Sequence, residues 1–245
     1  QQIFPTDQIA KLGQLGFLGM MVNQKYGGGG LDAVSYVLAL EEICKIEAAV
    51  GTIMSVNNSL VCWGLERFGN EIQKEKYLNP LAKGTVIGAF CLSEPEAGSD
   101  LGNSQCRAVR DGDDYVINGS KIWTSLGTYA KYMILLARTS TGGANKYAGL
   151  SYFLATMHVE GIDPKPIQKL TGEYGFCQTY FDDARIPADC LMGSEGEGWN
   201  IAMVTLTFER GATGGEAGGI ASMELNINEV GELSRRARRN GKQAI

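Results

Sequence analysis

The feature that most constrains this chain is a change of hydrophobic period, from helical to strand-like near Val86 and back to helical near Gly198. Between those points lie short β-rich runs separated by turn residues: Ile87 to Leu92, Ser104 to Arg110, Asp114 to Ile117, Tyr132 to Ala137, Gly149 to Ala155 and Gln178 to Phe181. Asp111-Gly112 and Asn118-Gly119 are tight-turn dipeptides, so the strands around Tyr115 are expected to form an antiparallel meander. No helical stretch long enough for a parallel crossover separates the runs, which argues against a doubly wound nucleotide-binding domain. The order to be explained is helices, then all-β, then helices again, which is an α+β arrangement.

Within the first helical part, Leu12, Leu15, Phe17 and Leu18 lead into the run Tyr26-Gly27-Gly28-Gly29-Gly30. That run is expected to be a turn and not a phosphate loop, because no strand precedes it and no Gly-Lys-Ser/Thr follows. Asp32 can cap a helix from about Ala33 to Lys45, with Val34, Val37, Leu38, Leu40 and Ile43 on a broad apolar face. Ala48 to Phe68 is apolar almost all round, which predicts burial, and a short amphipathic helix from Gln73 to Ala82 stops at Lys83-Gly84. Past the β part, an apolar helix is expected from Trp199 to Ile220, and it needs a partner layer. Asn240 to Ile245 offer no helix or strand of their own.

The formal net charge of -5 argues against nucleic acid as a partner. One dense basic run, Arg235 to Arg239, reads either as a solvated helix face or as a phosphate-facing site. No apolar stretch approaches the ~20 residues that span a bilayer, and Gln1 to Pro5 lacks a secretory pattern. The six cysteines are far apart with no Cys-x-x-Cys pair, and His158 is the single histidine, so no metal site is expected and the thiols read as free and buried. The chemistry is left to carboxylates, hydroxyls, backbone groups or a bound cofactor.

The most informative stretch is Phe90-Cys91-Leu92-Ser93-Glu94-Pro95-Glu96-Ala97-Gly98-Ser99-Asp100, in which a strand delivers hydroxyls, carboxylates and a glycine to one loop. Such a loop can present donors to a polar planar ring or an anion, although serine and glycine also crowd ordinary turns. Lys121-Ile122-Trp123-Thr124-Ser125 sets a tryptophan beside two hydroxyls, and Trp123 reads either as a sandwich-core residue or as part of a site.

These segments resemble the acyl-CoA dehydrogenase family. The likeness is carried by Met54-Ser55-Val56-Asn57-Asn58-Ser59-Leu60, Ser93-Glu94-Pro95 with Gly98-Ser99-Asp100, Asn118-Gly119-Ser120-Lys121-Ile122-Trp123, Phe181-Asp182-Asp183-Ala184-Arg185-Ile186-Pro187, and the segment from Gly196 to Trp199. The helical third is most similar to short-chain members, and the β part with Leu170-Thr171-Gly172-Glu173 to bacterial members with other acyl substrates. The resemblance implies an N-terminal helical domain over 1–86, a central antiparallel β domain over 87–196, and over 197–245 the start of a truncated C-terminal helical bundle. It implies FAD as cofactor, dehydrogenation of an acyl-CoA thioester in fatty acid metabolism, electrons passed to an electron-transfer flavoprotein, and a homotetramer in the bacterial cytoplasm or mitochondrial matrix. An acyl-CoA oxidase or flavin monooxygenase of the same fold, or a noncatalytic truncated partner subunit, are the alternatives.

Residue by residue, the resemblance places Phe90, Cys91, Leu92, Ser93, Gly98 and Ser99 against the flavin, with Trp123 flanking the ring and Thr124 and Ser125 beside it. Ser99 also matches a residue that meets the acyl-CoA. Thr207, Phe208, Glu209 and Arg210 match the first bundle helix, where some members carry the catalytic carboxylate, and the resemblance implies that these four also bind the substrate. Glu209 is accordingly the candidate base, and an exposed Glu209–Arg210 helical pair is the other reading. Short-chain members have no carboxylate there. The chain lacks an initiator methionine, the family's pyrophosphate contacts and its subunit-bridging segment, so it is expected to be incomplete.

Overall fold

A computed structural model of the chain describes residues 3–141 and 145–211 and, beyond these, 228–229, 231–233, 235–236, 238–239 and 242–243. The chain opens with α1 (Thr6–Gln14) and α2 (Ala33–Ile46), the latter capped as expected by the Asp32 carboxylate accepting from Ser35 N at 2.8 Å. Next comes α3 (Ala48–Phe68), whose middle turns, Val56–Cys62, are π-helical. A further helix, α4, covers 71–82. By length and composition α3 is apolar enough to cross a bilayer, which corrects the expectation that no segment is. Here it is a core helix, with Val50, Ile53, Met54, Val61, Cys62 and Leu65 buried.

The widened turn of α3 is completed by side chains. Asn58 Nδ2 donates to Met54 O and Ser59 Oγ to Ser55 O, while Asn57 Nδ2 reaches Leu18 O and Leu81 O. Asn58 Oδ1 accepts from Met20 N at 2.9 Å, so the π segment is tied to the loop after α1. The glycine run folds back on Met20 and Val22, and a Cβ on Gly28 would sit 2.2 Å from Val22 O. It is a turn, as expected.

The sheet has eight strands: β1 (Gly88–Cys91), β2 (Arg107–Asp111), β3 (Asp114–Ser125), β4 (Tyr132–Arg138), β5 (Leu150–Thr156), β6 (Ile162–Gln168), β7 (Tyr174–Pro187) and β8 (Leu191–Met192), in the order β6-β7-β3-β2-β4-β5-β8 with β1 on β4. Pairing is antiparallel apart from β1 along β4 and a single β2–β4 bridge. Asp111-Gly112 sits at the β2–β3 hairpin as expected. Asn118-Gly119 is not a turn. It lies inside β3, where the register with β7 shifts and Gly119 takes φ +135°, so its freedom makes a bulge. Cys106 Cα would lie 2.8 Å from a Cβ there, which also demands glycine. The strand β6 went unexpected because Pro164 and Pro166 interrupt its pattern.

After the sheet comes α5 (Gly198–Gly211). Residues 212–220 of the expected Trp199–Ile220 helix lie outside the described residues. One face of α5 packs on the sheet and on α3. Ile201, Ala202 and Thr205 are buried, Gly198 sits so close to Ser151 that a Cβ would be 2.5 Å from its carbonyl carbon, and Phe208 stacks on Trp63 of α3 at 3.9 Å. Near the terminus, Arg235 and Arg236 are exposed and helical and pair with Glu232, while β9 (Arg238–Arg239) pairs antiparallel with β10 (Lys242–Gln243), where no element was expected.

Candidate functional site

Helices and sheet meet in one cleft of about 540 Å³. Four pieces of chain wall it: Val56 and Leu60 from the π turns of α3, Phe90 of β1 with Leu92, Ser93, Gly98, Ser99 and Leu101 after it, Ile122 with Trp123 and Ser125 at the end of β3, and Trp199, Met203, Leu206 and Arg210 of α5. The α5 residues recur at i, i+4, i+7 and i+11, one stripe of a helix. Most of the lining residues are apolar in type, with three serines and Arg210 among them, the composition of a site for a ligand with an apolar body and polar edges.

The loop after β1 is clamped from behind. The Lys121 ammonium, wholly buried, donates to Leu92 O at 2.9 Å and to Glu94 Oε1 at 2.7 Å. Glu94, 6% exposed, also accepts from Gln105 N at 2.6 Å and Cys106 N at 2.9 Å, and Ile122 N donates to Ser93 O. Glu94 and Ala97 close the turn with reciprocal backbone bonds at 3.1 Å. Of the carboxylates this segment supplies, Glu94 is consumed by the clamp and Asp100 pairs with Lys146. Ser93 and Ser99 line the cleft, and a Cβ on Gly98 would meet open space.

Trp123 is not a core residue. It is 57% exposed, meets Phe176 edge-on at 6.0 Å, and holds φ +62° within a second register shift of β3 on β7, between Lys121 and Thr124. In a regular strand, alternation would drive this side chain toward one face of the sheet, but the bulge turns it into the cleft. Leu126 follows with φ +63°, so two residues that disfavour the left-handed region flank Ser125.

Of the residues anticipated from the sequence, Phe90, Leu92, Ser93, Gly98, Ser99, Trp123, Ser125 and Arg210 line the cleft together. Cys91 and Thr124 do not. They are buried behind it, Thr124 Oγ1 lying 3.7 Å from Cys91 Sγ, and burial pushes the Cys91 thiol up to about 12. Thr207 bonds back to Met203 O and Phe208 faces Trp63. Glu209 is off the lining by roughly a quarter turn of helix, as 100° per residue requires when 206 and 210 face inward. Its side chain is 31% exposed and its Oε2 is 3.9 Å from Arg210 Nε. Val56, Leu60, Leu101, Ile122, Trp199, Met203 and Leu206 were not anticipated as lining. For the α5 residues the periodic stripe was a readable signal, but for Val56 and Leu60 the π turn was not.

Two family descriptions match the chain: acyl-CoA dehydrogenase, N-terminal domain, over residues 1–85, and acyl-CoA dehydrogenase, middle domain, over residues 89–184. A short-chain specific acyl-CoA dehydrogenase of Clostridium acetobutylicum is 39% identical over 225 residues, covering 91% of this chain and 59% of that protein. The structure of butyryl-CoA dehydrogenase from Megasphaera elsdenii superposes with a TM-score of 0.89 at 34% identity, over 99% of this chain and 64% of that one. A chain solved in work on the electron transferring flavoprotein of Acidaminococcus fermentans superposes with a TM-score of 0.89 at 35% identity, over 98% of this chain and 63% of that one. The chain thus spans less than two thirds of the length of each.

Proposed function

Since the chain belongs to the acyl-CoA dehydrogenase family, we propose that the protein carrying it performs FAD-dependent α,β-dehydrogenation of an acyl-CoA thioester. The observation that carries this reading is the convergence of the Phe90–Ser99 loop, the Trp123 bulge and α5 on one cleft. The donor set suits a flavin: apolar walls for a planar ring, serine hydroxyls for its carbonyl and nitrogen edge, and an indole exposed on one side. FAD held there would supply the hydride acceptor and pass electrons to an electron-transfer flavoprotein.

The chain's own residues have separate tasks. Ser93 and Ser125 donate hydrogen bonds to the polar edge of the ring, fixed in place before the reaction so that no reorganisation is needed when charge develops. Trp123 and Phe90 exclude water from the ring. Ser99 and Arg210 take the acyl-CoA, the guanidinium offering a cation to its anionic part. Glu209 removes the α-proton from the flank of the cleft, with Thr207 and Phe208 fixing the helix that carries it. The family's homotetramer, its role in fatty acid metabolism and a bacterial cytoplasmic or mitochondrial matrix location belong to the same proposal.

The test is an anaerobic titration of the native protein with acyl-CoA esters of graded length. A yellow protein whose flavin absorbance bleaches with at least one ester is expected. A protein that takes up no FAD, or whose FAD no ester reduces, overturns the reading.

A further inference from the structure

Neither Lys121 nor Glu94 lines the cleft, yet the buried pair joins two of the segments that do. Lys121 Nζ holds Leu92 O and Glu94 Oε1, Glu94 holds Gln105 N and Cys106 N, and the backbone after Lys121 enters the bulge that turns Trp123 outward. Removing two charges from water is costly, and apolar pairs of similar volume commonly replace buried ion pairs without loss of stability. What an apolar pair cannot supply is direction. These hydrogen bonds fix where the Leu92 carbonyl points and therefore where the next residue, Ser93, presents its hydroxyl.

We propose that Lys121 and Glu94 are positioning residues that align the Ser93 loop with the Trp123–Ser125 bulge, so that the hydroxyls of both segments address one ligand edge. This rests on the FAD reading above. Without the clamp only the Ile122 N–Ser93 O bond ties the loop to the bulge, and the two sets of donors lose their alignment. A role confined to stability would leave ligand affinity untouched wherever the fold survives.

The experiment compares the native protein with Lys121→Met, Glu94→Gln and the double variant Lys121→Met/Glu94→Met. FAD dissociation constants come from fluorescence titration, the flavin midpoint potential is measured at saturating FAD, and fold integrity is followed by circular dichroism. Because either single change strands a buried charge and can prevent folding, the double variant, which removes both charges, is the decisive protein. Expected is a folded double variant that binds FAD at least tenfold more weakly and whose midpoint potential is shifted from that of the parent. A folded double variant with affinity within twofold of the parent and an unchanged potential overturns the positioning role. If the parent itself binds no FAD, the functional reading fails instead, and the two failures are distinguished by the parent alone.

Discussion

Trp123 allows a prediction whose sign is unusual. Its backbone sits at φ +62° in a bulge, a region that costs a residue with a Cβ about 1–2 kcal/mol relative to glycine. In ordinary strand positions glycine is worse than alanine, by about 0.5–1 kcal/mol, because it loses more freedom on folding. Trp123→Ala and Trp123→Gly both lose the same indole and the same edge contact with Phe176 at 6.0 Å, so their difference isolates the backbone. Relief of strain minus the glycine entropy leaves Trp123→Gly more stable than Trp123→Ala by up to about 1.5 kcal/mol, and by roughly 0.7 kcal/mol at the midpoints. Urea unfolding of the two variants, followed by far-ultraviolet circular dichroism, measures it. If the alanine variant is equally or more stable, the bulge does not hold this residue in the left-handed region, and the account of how Trp123 is turned into the cleft fails.

Other expectations follow from the same geometry. Glu209→Gln keeps FAD and acyl-CoA binding but slows flavin reduction by about 10²–10⁴-fold, the usual worth of a general base; stopped-flow reduction within a few-fold of the parent would place the base elsewhere. Ser125→Ala removes one donor at the cleft, an effect of about 1–3 kcal/mol on the charged, reduced state, and potentiometry should find a lower flavin midpoint potential. Glu71, hydrogen-bonded to Lys25 at 2.6 Å and to Tyr26, has its carboxyl held down to about 2 from the ordinary 4.5. Its folded-state value is depressed, so its contribution is present above about pH 4.5 and lost as the pH falls toward about 2. Acid unfolding of Glu71→Gln should therefore match the parent near pH 2 and lag it at neutral pH, with the gap shrinking in salt because the pair is exposed.

Much of the fold was legible because it rests on periodicity, which is a local property. The Asp32 cap, the buried run Ala48 to Phe68, the Asp111-Gly112 hairpin and the return of helix at Gly198 all announce themselves within a few residues. What failed depended on partners distant in sequence. Asn118-Gly119 has the dipeptide of a turn, but β7 pairs across it and the glycine becomes a bulge opposite Cys106. The π turns of α3 leave no mark in composition, since they are held by Asn58 and by a loop some forty residues earlier. In the site, hydroxyls and Trp123 could be identified by type. The assignments of Lys121 and Glu94 could not, because a lysine and a glutamate 27 residues apart look like surface charges until the sheet brings them together with no water between.

The strand that escaped the sequence reading has its own consequence. In the order of the sheet, β6 occupies one end and the two-residue β8 the other. Pro164 and Pro166 lie at alternate positions of β6, which keeps its pairing with β7, so the donors they lack are missing from the same outer rim. A second strand arriving there would find carbonyls with few N–H groups between them, and at β8 it would find a ladder too short to extend. Both rims are closed to templated growth, which makes the folded sheet a poor seed for edge-to-edge polymerisation even at the concentrations reached during overexpression.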